Sequence, residues 1–220
     1  IEARLSMDMA ASPMQGSRLR LTSGNFVTAR PIGVLDGVDY HHTGEVRRID
    51  RKGINRQLDE RSIVLLSPLG YSPTGEIFNL ACEDVATRAA IDLQADKLVL
   101  YGAETGLLDE SGKLVRELRP QQIPAYVERL GSQYQAELLD AAAQACRGGV
   151  RRSHVVSYVD DGALLNELFT RDGAGTLVTQ EQFEQLREAT IEDVGGLIDL
   201  ITPLEEQGIL VRRSREVLER

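Results

Sequence analysis

Four short apolar runs, separated by segments of helical periodicity, limit what this chain can become. The runs are Ile63 to Ser67 (IVLLS), Lys97 to Tyr101 (KLVLY), Ser153 to Tyr158 (SHVVSY) and Thr176 to Thr179 (TLVT). Continuous apolar runs of this length, rather than strict alternation, are the pattern of strands covered on both faces. Between them, residues 80–94 place Val85, Ala86, Ala89, Ala90 and Leu93 on one helical face. Residues 134–147 place Leu138, Leu139, Ala142, Ala145 and Cys146 on another. Strand–helix alternation predicts an α/β fold with a mainly parallel sheet and helices in layers on both faces. Such sheets hold ligands beyond the carboxyl ends of their strands.

The remaining punctuation refines this plan. Residues 18–50 read as strands, with Arg18–Thr22 alternating, Phe26–Ala29 after Gly24-Asn25, and Tyr40–Asp50 turning at a glycine. Residues 51–59 read as a short helix, and 107–119 as a hairpin excursion around Ser111-Gly112. A further helix is expected near 121–130, and Gly148-Gly149 stops the helix over 134–147. Asp161 is placed to cap a helix over 162–170, and residues 172–175 form a loop. The polar stretch 180–184 marks a boundary. Beyond it a strand at Leu186–Ala189 leads, with Thr190 as cap, to a helix carrying Val194, Leu197, Ile198 and Ile201.

Charge excludes some partners. A formal net charge of −9 over 220 residues argues against a nucleic-acid binder, whose footprint is a basic face. The basic tail of Arg212, Arg213, Arg215 and Arg220 reads as a solvated helix face. No apolar run is long enough to span a bilayer, and a cytoplasmic location is expected. Cys82 and Cys146 have no CxxC partner and read as small core residues. His41, His42 and Glu45 lack a helical metal-ligand spacing and alternate across a strand, so a structural role is expected. Arg47-Arg48 and Arg151-Arg152 read as surface or ion-paired residues.

Four segments carry a family resemblance. They are YHHTGEVRRID (40–50), EIFNLACEDVAT (76–87), DGALLNELFTRDGAGT (161–176) and PLEEQGILVRRSRE (203–216). Together they resemble the N-acetylglutamate synthase family over essentially the whole chain. The last is the most specific, because acetylglutamate kinases share the preceding domain but not this continuation. The resemblance implies an amino-acid-kinase-like (carbamate-kinase-like) regulatory domain over 1–180 with its N-terminal part missing. It also implies the truncated beginning of a GNAT acetyltransferase domain over 184–220. Both ends of the chain are expected to be cut. The family transfers acetyl from acetyl-CoA to L-glutamate, the first step of arginine biosynthesis, and takes L-arginine as feedback effector. A homo-oligomer is expected at full length, with neither nucleic acid nor membrane as partner. For this piece no catalytic residue, bound cofactor or metal is expected.

The same resemblance bears on two sites. Related kinases surround the transferring phosphate with lysines, an orienting Asp and glycines. Here the Asp position falls at Glu83, a Lys position at Leu138, and two glycine positions at Gln133 and Tyr134. Leucine cannot neutralise a phosphate, so phosphoryl transfer is expected to be lost; an active acetylglutamate kinase is the alternative. For arginine, a fixed carboxylate would grip the guanidinium and donors would hold the ligand carboxylate. The resemblance places these at Glu167, His154 and Gly173, with Lys97, Ser157 and Gly175 as further members. Taken alone, Glu167 reads as a solvated helix residue, His154 as a packed strand residue and Lys97 as surface.

Overall fold

The computed structural model describes residues 19–170 and 173–180, with Leu5, Ile198, 201–203, Glu205 and Gly208 besides. The chain divides into two compact units, Ile1–Glu181 and Gln182–Arg220. In the second, Ile198 and Ile201 are helical, and the expected strand at 186–189, its cap Thr190 and the basic tail lie outside the described residues.

The first unit has twelve described strands, and the site depends on one sheet. β9 (Lys97–Gly102) and β11 (Arg152–Ser157) are parallel, with Lys97 opposite Arg152 and Val99 opposite His154. β12 (Thr176–Thr179) runs antiparallel to β11, and β10 (Glu117–Leu118) runs parallel to β12. The sheet order is therefore β10-β12-β11-β9, mixed rather than wholly parallel. A second sheet has the order β5-β2-β7-β8, built from β2 (Val27–Pro31), β5 (Gly44–Ile49), β7 (Leu69–Tyr71) and β8 (Ile77–Asn79). β1 (Arg20–Ser23) pairs in parallel with β6 (Ser62–Leu65), and β3 (Val34–Leu35) with β4 (Val38–Asp39) in a small hairpin.

Helices cover both faces of the first sheet. α4 (Gln133–Arg147) starts where Ser132 accepts a hydrogen bond from the Gln135 N–H, and ends at Gly148. Its whole expected stripe is buried and packs with Leu98, Leu100 and Val155 of the sheet. Alternation sends the neighbouring side chains of β11, His154 among them, to the opposite face, where α5 (Ala163–Phe169) lies. α2 (Cys82–Leu93) joins the two cores. Its Val85 and Ala89 face the second sheet, with Val27, Phe78 and Ile54 of α1 (Arg51–Asp59), and its Ala90 faces α4. A short helix α3 (Ile123–Val127) closes the first core through Ile123.

Three expectations need correction. Cys82 is exposed, because it is the first residue of α2 and precedes the buried stripe; only Cys146 is a core residue. The run at 63–67 is not covered on both faces: Ile63 is 45% exposed and Val64 and Leu65 half-buried, with β1 as the strand's described partner. Asp161 does not cap α5. Gly162 occupies that position at φ +75°, and no side chain caps the helix. His42 and Glu45 have structural partners: the His42 ring lies 6.3 Å from that of Phe78, and Glu45 pairs with Arg30 at 2.7 Å. Among the described residues no helix is long and apolar enough to cross a membrane.

Leu139 is fully buried where α4 meets the sheet. Leu139→Ala is predicted to cost roughly 2–5 kcal/mol, the usual cost of a leucine-sized void. Leu58→Ala, at a position 45% exposed, should cost well under half of that. Chemical denaturation of the two variants compares them.

Candidate functional site

The most unusual buried group in the first unit is a carboxylate. Glu167 lies one turn into α5, on the side that faces β11, with only 5% of its side chain exposed. An ionised carboxylate removed from water must be supplied with donors, or burial protonates it. Glu167 has three. Its Oε1 accepts from His154 Nδ1 at 2.7 Å, and its Oε2 accepts from the Ala174 N–H at 2.7 Å and the Gly175 N–H at 2.8 Å. Burial pushes the Glu167 carboxyl up. The hydrogen bonds from His154, Ala174 and Gly175, with the attraction of the histidine, outweigh burial and hold it below the ordinary value of 4.5.

The loop that supplies two of these donors needs glycines. Gly173 has φ +63°, and a Cβ there would stand 2.6 Å from Glu167 Oε2. A Cβ on Gly175 would run into the Val155 carbonyl oxygen of β11. Glycine thus lets the loop close on the carboxylate and on the strand at once. The loop is tied at its start as well, where the Gly173 N–H donates to Thr170 Oγ1 at 3.1 Å. His154 Nε2, the second nitrogen of that ring, is buried and has no hydrogen-bond partner among the described residues.

The structure therefore brings together His154, Glu167, Gly173 and Gly175. Lys97 is exposed at the start of β9, on the same face as His154 and two positions further along the sheet, roughly 7 Å away. Ser157 stands apart. Three residues from His154, it points to the α4 side; its hydroxyl donates to the Ala103 carbonyl at 3.2 Å and accepts from the Val159 N–H at 3.0 Å. Glu167 is not the solvated residue that it resembles in isolation. A contributor without a sequence signal is Thr176, fully buried. Its hydroxyl accepts from the Leu107 N–H and donates to the Val115 carbonyl, both at 2.8 Å, fastening the 107–115 excursion to the end of the Gly173–Gly175 loop.

The region beyond the carboxyl ends of β9 and β11 has a different character. Leu138 is 1% exposed and packs over the backbone of Gly102, where its Cδ1 leaves no space for a Cβ. Tyr134, 43% exposed, reaches the Tyr101 carbonyl at 3.4 Å. Burial, followed by the negative charge of Glu83, raises the Tyr134 phenol above its ordinary value. A leucine, a phenol and a carboxylate lie together here. Among the described residues no group of three or more His, Cys, Asp or Glu side chains is arranged to hold a metal ion.

Comparison with known proteins agrees with this architecture. The chain is 90% identical over 220 residues to an amino-acid acetyltransferase of Ectopseudomonas mendocina (strain ymp), and 86% identical to one of Pseudomonas fluorescens (strain Pf0-1). All of this chain is matched in both cases, and it spans about half (51%) of the length of these relatives. Among solved structures it is similar to N-acetylglutamate synthase from Neisseria gonorrhoeae complexed with coenzyme A and L-arginine. That similarity is 38% identity at a TM-score of 0.84, over 99% of this chain and 50% of the other. The complex of N-acetylglutamate synthase from the same organism with coenzyme A and N-acetyl-glutamate matches at 42% identity and a TM-score of 0.73, over 94% and 48%. The model of the amino acid kinase family matches residues 1–157. With more than half its length inside that match, the chain belongs to the amino acid kinase family.

Proposed function

We propose that this chain is the regulatory, L-arginine-binding part of an amino-acid acetyltransferase, an N-acetylglutamate synthase, and that its kinase-like fold no longer transfers phosphate. In this reading residues 1–180 form the sensing domain and 184–220 open the acetyltransferase domain. Acetyl transfer from acetyl-CoA to L-glutamate belongs to the rest of the acetyltransferase, and no catalytic residue for it is assigned to this chain. The full-length protein works in the cytoplasm as a homo-oligomer.

The observation that carries the reading is the Glu167 assembly, in a fold that matches a synthase whose structure was solved with coenzyme A and L-arginine. An ionised carboxylate held beside a glycine loop is the kind of group that pairs with a cationic amino acid. His154, Glu167, Gly173 and Gly175 form its centre, and Lys97, on the same sheet face, can meet the ligand carboxylate. Ser157 belongs to this set only through its strand. The acidic, apolar surroundings of Leu138, Tyr134 and Glu83 support the loss of kinase chemistry.

L-arginine at about 100 times its dissociation constant stabilises a protein by about 2.7 kcal/mol. Thermal denaturation of the full-length protein is therefore expected to shift upward by several degrees with arginine and to stay unmoved with L-lysine. No shift with arginine removes the sensing role. A coupled ADP assay with ATP and N-acetylglutamate should read background only; turnover above background restores the kinase alternative.

The site also sets a pH dependence. Glu167 titrates below 4.5 in the folded protein, so its ionised form contributes stability that is fully present above the unfolded carboxylate value. That stability is lost as pH falls through the lower folded value. Urea denaturation from pH 7 to pH 3 should show the wild type more stable than Glu167→Gln at neutral pH. The gap should narrow steadily below about pH 4.5; a gap independent of pH would contradict the ionised, hydrogen-bonded state.

A further inference from the structure

Two surfaces of opposite charge stand at the two ends of α2, away from the arginine site. At one end lies α1 with the strand that leads into it. Residues 47–56 hold five cations, Arg47, Arg48, Arg51, Lys52 and Arg56, against the single carboxylate of Asp50, in a chain whose net charge is −9. All five are exposed, and none has an ion pair among the described residues. Asp50 is engaged at the cap, where its Oδ1 accepts from the Gly53 N–H at 3.1 Å. Arg51 donates to Oε1 of Gln94, the C-cap of α2, at 3.4 Å. Local electrostatics oppose this arrangement. Arg51 and Lys52 occupy the first turn, where the helix dipole favours acids, and Lys52 and Arg56, one turn apart, repel each other. A local rule broken without a compensating partner in the fold marks a surface whose partner lies outside it.

The other end of α2 has the complementary character. Tyr101, Tyr134 and Tyr158 are exposed at the carboxyl ends of β9 and β11 and the start of α4. The Tyr134 hydroxyl reaches the Tyr101 carbonyl, and the Tyr158 N–H donates to the Gly102 carbonyl at 2.9 Å. Carboxylates lie among them: Glu83 in the first turn of α2, Glu104 with its Oε2 beside Gly102, and exposed Asp160, whose N–H donates to Ser157 Oγ at 3.4 Å. Glu83 precedes Gln94 by eleven positions, roughly 16 Å along a helix rising about 1.5 Å per residue. Charges that far apart are screened from each other within one chain, because the Debye length is about 10 Å at 0.1 M salt. We infer that the two surfaces meet between copies: the cationic α1 face of one copy docks head to tail on the tyrosine-and-carboxylate face of the next. This rests on the homo-oligomer reading above and names a contact inside it. Guanidinium groups stack on phenol rings and pair with carboxylates, and a head-to-tail contact repeated around an axis closes a ring.

Cys82, exposed next to Glu83, serves as the probe. Full-length Arg48→Cys and Lys52→Cys are oxidised in separate experiments, and the joined peptides are identified by mass. In at least one of them the introduced cysteine should bond to Cys82 of a second copy, and adding Cys82→Ser should abolish that bond. Its rate should fall roughly tenfold between about 0.05 M and 0.5 M salt, as screening shortens the reach of the charges. Arg47→Glu with Arg51→Glu, added to Lys52→Cys, should slow it by a similar factor at low salt. No bond to Cys82 in either variant overturns the contact. So does a bond between two introduced cysteines that survives Cys82→Ser, or a rate indifferent to salt and to charge reversal. Sedimentation separates the two levels. An oligomer without the bond leaves the homo-oligomer reading standing and removes only this contact; a monomer at every salt concentration removes both.

Discussion

A carboxylate taken out of water must be surrounded by donors, and the region around β11 is organised by that requirement. Glu167 draws one donor from the strand, through His154, and two from the backbone of the following loop. The helix, the strand and the loop are thereby held in one arrangement. Removing any partner would leave a buried polar group uncompensated, which costs more than the net worth of the bond. Thr176 extends the same logic to the 107–115 excursion, whose backbone it ties from both sides.

The opposite end of the fold shows what happens when a charge requirement is absent. In the family's kinases the resemblance implies a lysine where this chain has Leu138. Leucine is at home in the core, where it fills the space above Gly102 beside Leu139 and Ala142. Nothing there needs a counter-charge. Glu83 and the Tyr134 phenol then make the region unattractive to anions. One domain thus holds a buried acid on one face of the sheet and a packed leucine on the other.

Much of the fold could be read from the chain because its signals are local. The stripe on α4 and its glycine stop, the short helix after Asp50 and the strands over the four apolar runs follow from periodicity and punctuation. The misreadings concern matters that periodicity does not contain. An apolar run does not say whether both its faces are covered, so Ile63 is exposed. An alanine-rich helix does not say where its buried stripe begins, so Cys82 lies outside it. Asp161 has the chemistry of a cap, but Gly162 takes the left-handed turn that starts the helix. For the site, the order of His154, Glu167 and Gly173 could be matched to a family. That both carboxylate oxygens are already engaged could not, because those partners are set by tertiary structure. Ser157 shows a simpler limit: three residues along a strand from His154, it must face the other way.

The most direct test is a crystal structure of the full-length protein grown with L-arginine. The account predicts arginine beside Glu167 and the Gly173–Gly175 loop, and no phosphate or nucleotide at Leu138. Arginine bound away from this loop, or a phosphate seated beside Leu138, would contradict it.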